Sequence, residues 1–141
     1  MSESAWTLHP QLRADTVPVC DLALTQVLVM NDANFPWLIL VPRRAGVSEI
    51  FELGAEQATL LDEVSLASRA LKEVTQCDKL NVAAIGNVVP QLHVHIVARR
   101  KDDVLWPKPV WGAAPPRAYD HAAMERFTAT IRERLRRTPS L

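Results

Sequence analysis

Two imidazoles and a carboxamide stand two residues apart in Pro90-Gln91-Leu92-His93-Val94-His95-Ile96-Val97-Ala98-Arg99. An ordinary imidazole has a pKa of about 6.5 and is largely neutral at physiological pH, so it can act as a nucleophile, a metal ligand or a hydrogen-bonding group. Leu92, Val94 and Ile96 alternate with the polar residues, which predicts a β-strand. Successive side chains of a strand point to opposite faces, so Gln91, His93, His95 and Val97 share one face. The residues alone leave three readings open. The pair could be hydrogen-bonded structural histidines, a metal site, or a nucleophile with its helper. A tight metal site needs further ligands, and neither His9 nor His121 lies in a recognisable partner motif.

The elements that must position this strand follow from periodicity. Leu22 to Met30 and Trp37 to Val41 read as strands, with turn chemistry in Asn31-Asp32-Ala33-Asn34-Phe35-Pro36 between them. An antiparallel hairpin follows. Leu60, Val64, Ala67, Leu71 and Val74 form the apolar stripe of a helix, with Glu56, Asp62, Glu63, Arg69 and Lys72 on its solvated face. Gly54 separates that helix from a short one beginning near Ser48, the expected cap. Leu80 to Ile85 is strand-like, and Gly86-Asn87 is a turn or bulge leading through Val88 to the histidine strand. After it, Trp106, Pro107, Pro109, Trp111, Gly112, Pro115 and Pro116 exclude a long regular element. Asp120 caps a last helix striped by Met124, Phe127, Ile131 and Leu135, and arginines crowd its end from Arg132 to Arg137. This order makes one α+β domain over residues 1–141 with a mostly antiparallel sheet. Its core is expected over about residues 20–112, and the last helix over about 120–137.

Composition narrows the partners. The chain has 141 residues, 48% hydrophobic and 23% charged, with 16 basic and 16 acidic side chains. A net charge of zero argues against a surface that neutralises a nucleic acid polymer or an anionic membrane. A small anionic ligand needs only a local cluster of donors. No apolar run reaches the roughly 18 residues of a membrane span, and Met1 to Trp6 lacks the pattern of a signal peptide. Cys20 and Cys77 show no C-x-x-C spacing and are expected to be reduced packing residues, so a cytoplasmic protein is expected.

The stretch Gly86-Asn87-Val88-Val89-Pro90-Gln91-Leu92-His93-Val94-His95-Ile96-Val97-Ala98-Arg99 resembles the signature of the histidine-triad superfamily, a Gly-Gln-Ser/Thr turn followed by three histidines alternating with apolar residues. Phe35-Pro36-Trp37-Leu38-Ile39-Leu40-Val41-Pro42-Arg43 is similar to the family's Pro-Thr-His strand, and Trp106-Pro107 also matches some members. The resemblance covers roughly residues 20–112. It implies a five-stranded, mostly antiparallel sheet with a long helix and a C-terminal helix, usually paired into a homodimer. It also implies a nucleotide hydrolase or transferase acting at the α-phosphate through a nucleotidyl-histidine intermediate, with no cofactor or metal.

By that resemblance His93 is the nucleophile, His95 contacts phosphate oxygens, and Gln91 stands where the first triad histidine would be. Asn87 takes the place of a phosphate-contacting glutamine, with Gly86 beside it, and Val88 replaces a Ser/Thr near the leaving group. Trp37 replaces a histidine near the nucleotide, so it either reshapes the ribose pocket or joins the core. Asn31 or Asp32 is a candidate for the ribose hydroxyls, set against a plain turn role. Trp106 and Trp111 are candidates for base stacking or for an interface. Arg99 either adds charge at the site or is a surface residue at the strand end. The alternatives are a nucleotide-binding module without efficient catalysis, and a metal-binding protein using His93 and His95.

Overall fold

The computed structural model describes residues 5–138; residues 1–4, which carry most of the signal-peptide reading, lie outside them. The element order is α1 (Pro10–Asp15), β1 (Thr16–Asp21), β2 (Thr25–Met30), β3 (Trp37–Pro42), a 3-10 turn (Ile50–Glu56), α2 (Gln57–Thr75), β4 (Lys79–Ala83), β5 (Val94–Arg99) and α3 (His121–Arg137). The five strands form one sheet in the order β1-β2-β3-β5-β4, and every neighbouring pair is antiparallel. The expected α+β architecture and its two principal helices are therefore present. Among the described residues no helix is long and apolar enough to cross a membrane.

Strand alternation divides the sheet's side chains between two cores. Val27, Val29, Leu38, Leu40, Ile96 and Ala98 pack with Ala67, Ala70 and Leu71 of α2 and Met124, Ile131 and Leu135 of α3. On the other face Leu28, Trp37, Ile39, Val41 and Val97 pack with Leu12, Phe35, Val89 and Val110. Trp6, Leu8, Leu105 and Trp111 complete that cover from irregular segments. β3 is buried along its whole length, and so is β5. Residues on the second face of these central strands are thus shielded from water by the short helix α1 and irregular segments rather than by a long helix.

Several boundaries differ from periodicity. The strand expected from Leu22 starts at Thr25, because residues 22–24 form the turn from β1 and Leu22 N–H donates to the Thr25 carbonyl at 2.8 Å. β1 itself escapes a pattern reading because it contains Pro18 and a register shift between Pro18 and Cys20, both tolerated at a sheet edge. Glu63 is not on a solvated face: it is buried, and its carboxylate accepts from Leu24 N, Thr25 N and Thr25 Oγ1 at 2.8–2.9 Å. Ser48 is not the helix cap, since Glu49 occupies that position while Ser48 N and Oγ donate to Glu52. Gly54 does separate the 3-10 turn from α2, through a positive φ of 59° that favours glycine. At the other end Asp120 caps α3, accepting from Ala123 N at 2.8 Å.

Candidate active site

The histidine segment enters the sheet later than its sequence pattern suggests. Pairing begins at Val94, and Leu92 N–H instead donates to the Val47 carbonyl at 3.0 Å. His93 therefore sits at the mouth of β5 and His95 within it. Both are buried, with 7% and 6% of their surface exposed, so their hydrogen bonds determine what each ring can do. The ring centroids lie 4.9 Å apart and the planes are close to perpendicular, at 69°.

Each ring has one nitrogen committed, to partners of opposite kind. His93 Nδ1 lies 2.7 Å from the Gln91 carbonyl oxygen, which can only accept, so Nδ1 carries the proton. Nε2 of a neutral His93 then holds the lone pair. Trp37 Nε1–H donates to His95 Nδ1 at 3.1 Å, and an indole nitrogen can only donate. Neutral His95 must therefore carry its proton on Nε2. Sheet register creates this second bond: Ile39 pairs with His95 and Trp37 with Val97, so Trp37 is the diagonal same-face neighbour of His95. Burial, and then the neighbouring His93, push the His95 pKa down to about 4, which keeps that ring neutral near pH 7. Trp111 packs edge-on to both, at 5.5 Å from His95 and 6.1 Å from Trp37.

Two clefts lie near these residues, one bearing His93 and one bearing Trp37, and His95 lines neither. One, of about 400 Å³, is lined by His93 with Ser48, Phe51, Ile85, Gly86 and Gln91 among others. The second, of about 380 Å³, is lined by Trp37 with Asn31, Asp32, Val110, Gly112 and Pro116 among others. Among the described residues no three His, Cys, Asp or Glu side chains converge on a common metal position.

A family model for the HIT domain matches residues 11–102, about two thirds of the chain. The chain belongs to the histidine-triad (HIT) family. HIT proteins typically bind or hydrolyse nucleotides. A histidine triad protein from Bradyrhizobium japonicum is 53% identical over 94% of this chain and 99% of its own, with a TM-score of 0.92. One from Sinorhizobium meliloti is 44% identical over 92% and 96%, with a TM-score of 0.90. One from Marinobacter aquaeolei is 43% identical over 96% and 100%, with a TM-score of 0.92. No curated protein matches the chain.

Against the HIT pattern, the departures acquire structural roles. Gln91 does not extend the strand face: its side-chain oxygen accepts from His9 N at 2.9 Å and its nitrogen donates to the Thr7 carbonyl at 2.9 Å. The side chain thus ties an N-terminal strap to the site, while its main-chain carbonyl orients His93. Trp37 is a core residue and also the partner of His95, a double role that its residue type alone did not announce. Gly86 turns the chain with φ of 69° at the wall of the first cleft. Asn87 and Val88 follow it, both exposed, Val88 at 88%.

Asn31 and Asp32 line the second cleft but are engaged in structure as well. Asn31 Oδ1 accepts from Tyr119 N at 2.9 Å, and Asp32 Oδ1 from Asn34 N and Arg117 N. They hold their turn and the segment before α3 together. Arg99 is not a surface residue: it is 1% exposed, bound to Asp103 at 2.7 and 3.1 Å and to Asn81 at 3.0 Å. Its guanidinium lies between Phe35 and Trp106, 5.5 and 5.6 Å from their ring centroids. That placement gives Arg99 and Trp106 a structural explanation and puts neither among the residues lining the two clefts. The strap and Trp111 were absent from or marginal to the sequence reading, because no local motif connects them to residues 91–95.

Proposed function

We propose that this protein is a nucleotide hydrolase or nucleotidyl transferase that acts at the α-phosphate of a nucleotide derivative. His93 Nε2 attacks phosphorus and forms a nucleotidyl-histidine intermediate, which water or another acceptor resolves. The observation carrying this reading is the opposed pair of Nδ1 contacts, His93 on the Gln91 carbonyl and His95 on the Trp37 N–H, which leaves a lone pair on Nε2 of His93 and a proton on Nε2 of His95. Phosphoryl transfer needs a nucleophile and fixed donors for charge on the non-bridging oxygens, and donors in a closed site are each worth a few kcal/mol. His95 supplies one donor, and the Asn87 amide and turn N–H groups near Gly86 supply others. The cleft beside Trp37, Asn31 and Asp32 receives the nucleoside, and the cleft bearing His93 and Gly86 receives the leaving group.

The acting form is a cytoplasmic homodimer. Support comes from β4, an edge strand whose Val82 is 51% exposed, followed by Ile85 at 42%. An open, apolar sheet edge favours strand pairing with another chain. The test of the chemistry is incubation with nucleoside phosphoramidates, dinucleoside polyphosphates and nucleoside diphosphate derivatives, followed by mass spectrometry of the quenched protein. A nucleotidyl adduct on His93, absent in His93→Ala together with turnover, is expected. Nucleotide binding with neither adduct nor turnover across the panel identifies a binding module and overturns the enzymatic reading.

A further inference from the structure

A nucleophile at phosphorus is half of the reaction; the leaving group must also depart, and what it departs as depends on available protons. His95 carries its exchangeable proton on Nε2 and receives the Trp37 N–H on Nδ1. Once Nε2–H were given away, the ring would be an imidazolate, and Trp37 cannot pass it a replacement because an indole does not titrate in this range. A histidine or carboxylate at position 37 could exchange protons with His95; tryptophan cannot. Among the described residues, the side chains lining the cleft of His93 include no second histidine. The Gln91 amide is committed to Thr7 and His9, and Val88 has no hydroxyl. Ser48 Oγ donates to Glu52, and Glu49, the carboxylate lining the cleft, is exposed. His9 uses Nδ1 to cap α1 and lines a recess with Gly46, Val47, Ser48, Pro90 and Gln91 rather than the cleft of His93.

We propose that Trp37 is a positioning residue that holds His95 as a permanent, non-shuttling Nε2–H donor, and that the site consequently prefers nucleotide derivatives whose leaving group departs as an anion, a phosphate or polyphosphate, over those that release an amine. This rests on His93 being the nucleophile. The His93 Nε2–P bond forms as the bond from phosphorus to the leaving oxygen breaks, and that oxygen keeps the electron pair. A phosphate accepts this charge without a proton. An amine would leave as an amide anion unless protonated. Water then forms the new P–O bond, the N–P bond breaks, the pair returns to Nε2, and the water's proton passes to solvent.

The first test reads the tautomer in the wild-type protein, by long-range proton–nitrogen correlation of the imidazole rings at pH 7, with His95 assigned from its loss in His95→Gln. A protonated Nε2 and bare Nδ1 are expected; a protonated Nδ1, or two averaged nitrogens, overturns the role of Trp37. This readout needs no turnover, so it fails or stands separately from the enzymatic reading. The second compares dinucleoside polyphosphates, nucleoside phosphates esterified to phenols of graded acidity, and the matching phosphoramidate. Phosphoramidate kcat/KM is expected to be lower by roughly 100-fold, the lower range of general acid catalysis, with rates rising steeply with phenol acidity. Equal or faster phosphoramidate turnover, or a flat series, overturns the preference. In Trp37→Phe the single-tautomer signature disappears and kcat falls; an unaltered kcat in a folded variant counts against the proposal, and if that variant does not fold the two wild-type measurements decide.

Discussion

At the scale of single residues, the site is built from commitments rather than from unusual groups. Two ordinary histidines become different reagents because one donates a hydrogen bond to a carbonyl and the other accepts one from an indole. The same burial that keeps His95 neutral has a cost in acid. Its folded-state pKa is about 4 against an ordinary 6.5, so between those values the unfolded chain binds a proton that the folded protein does not. The stability this residue allows is complete above pH 6.5, is lost as the pH falls toward 4, and loses no more below that. The difference amounts to about 3 kcal/mol. Urea denaturation at pH 7 and pH 4.5 is expected to show a drop in wild type that shrinks in His95→Gln. An equal drop in both would assign the acid sensitivity to other groups.

At the scale of elements, position depends on side chains that bind main chain across large sequence distances. Glu63 on α2 satisfies two backbone N–H groups and a hydroxyl at the start of β2, fixing the strand next to β3. Removing it leaves three donors around a buried vacancy. Glu63→Ala is expected to destabilise the protein by about 3 kcal/mol in equilibrium unfolding, more than an exposed α2 carboxylate such as Asp62→Ala. An effect under 0.5 kcal/mol, the range of ordinary surface changes, would show that water replaces the carboxylate at little cost. Arg99 does comparable work at the end of β5, where Asp103 neutralises it and Asn81 accepts a further hydrogen bond, holding it between two aromatic rings. Helix α2 was legible as a stripe, but which of its charged residues turned inward was not. Periodicity locates a face, while the partner that pulls Glu63 inward lies 38 and 39 residues earlier.

At the scale of the whole molecule, the sheet order leaves β4 as one open edge and β1, with Pro18 and a register shift, as the other. β1 is irregular in the manner of an edge protected against pairing, whereas β4 presents Val82 outward. Sedimentation velocity is expected to give a dimer for the wild type and monomers for Val82→Lys, which sets like charges against each other across a paired edge. A monomeric wild type would remove the dimer from the functional reading, and a dimeric lysine variant would move the interface elsewhere.

The chain's local patterns determined the strands of the central hairpin, the two long helices with their stripes, and the paired histidines with the turn before them. Those features depend on periods of two or 3.6 residues and on backbone preferences, all encoded within a few positions. Tertiary structure alone decided the rest. It paired Trp37 with His95 across 58 residues, tied Gln91 to Thr7 and His9 across more than 80, and buried Arg99 with its partners. The first two set what the histidines can do: the identity of a donor or acceptor is written in the residue, but which nitrogen it meets is set by strand register and by the segments that cover the sheet.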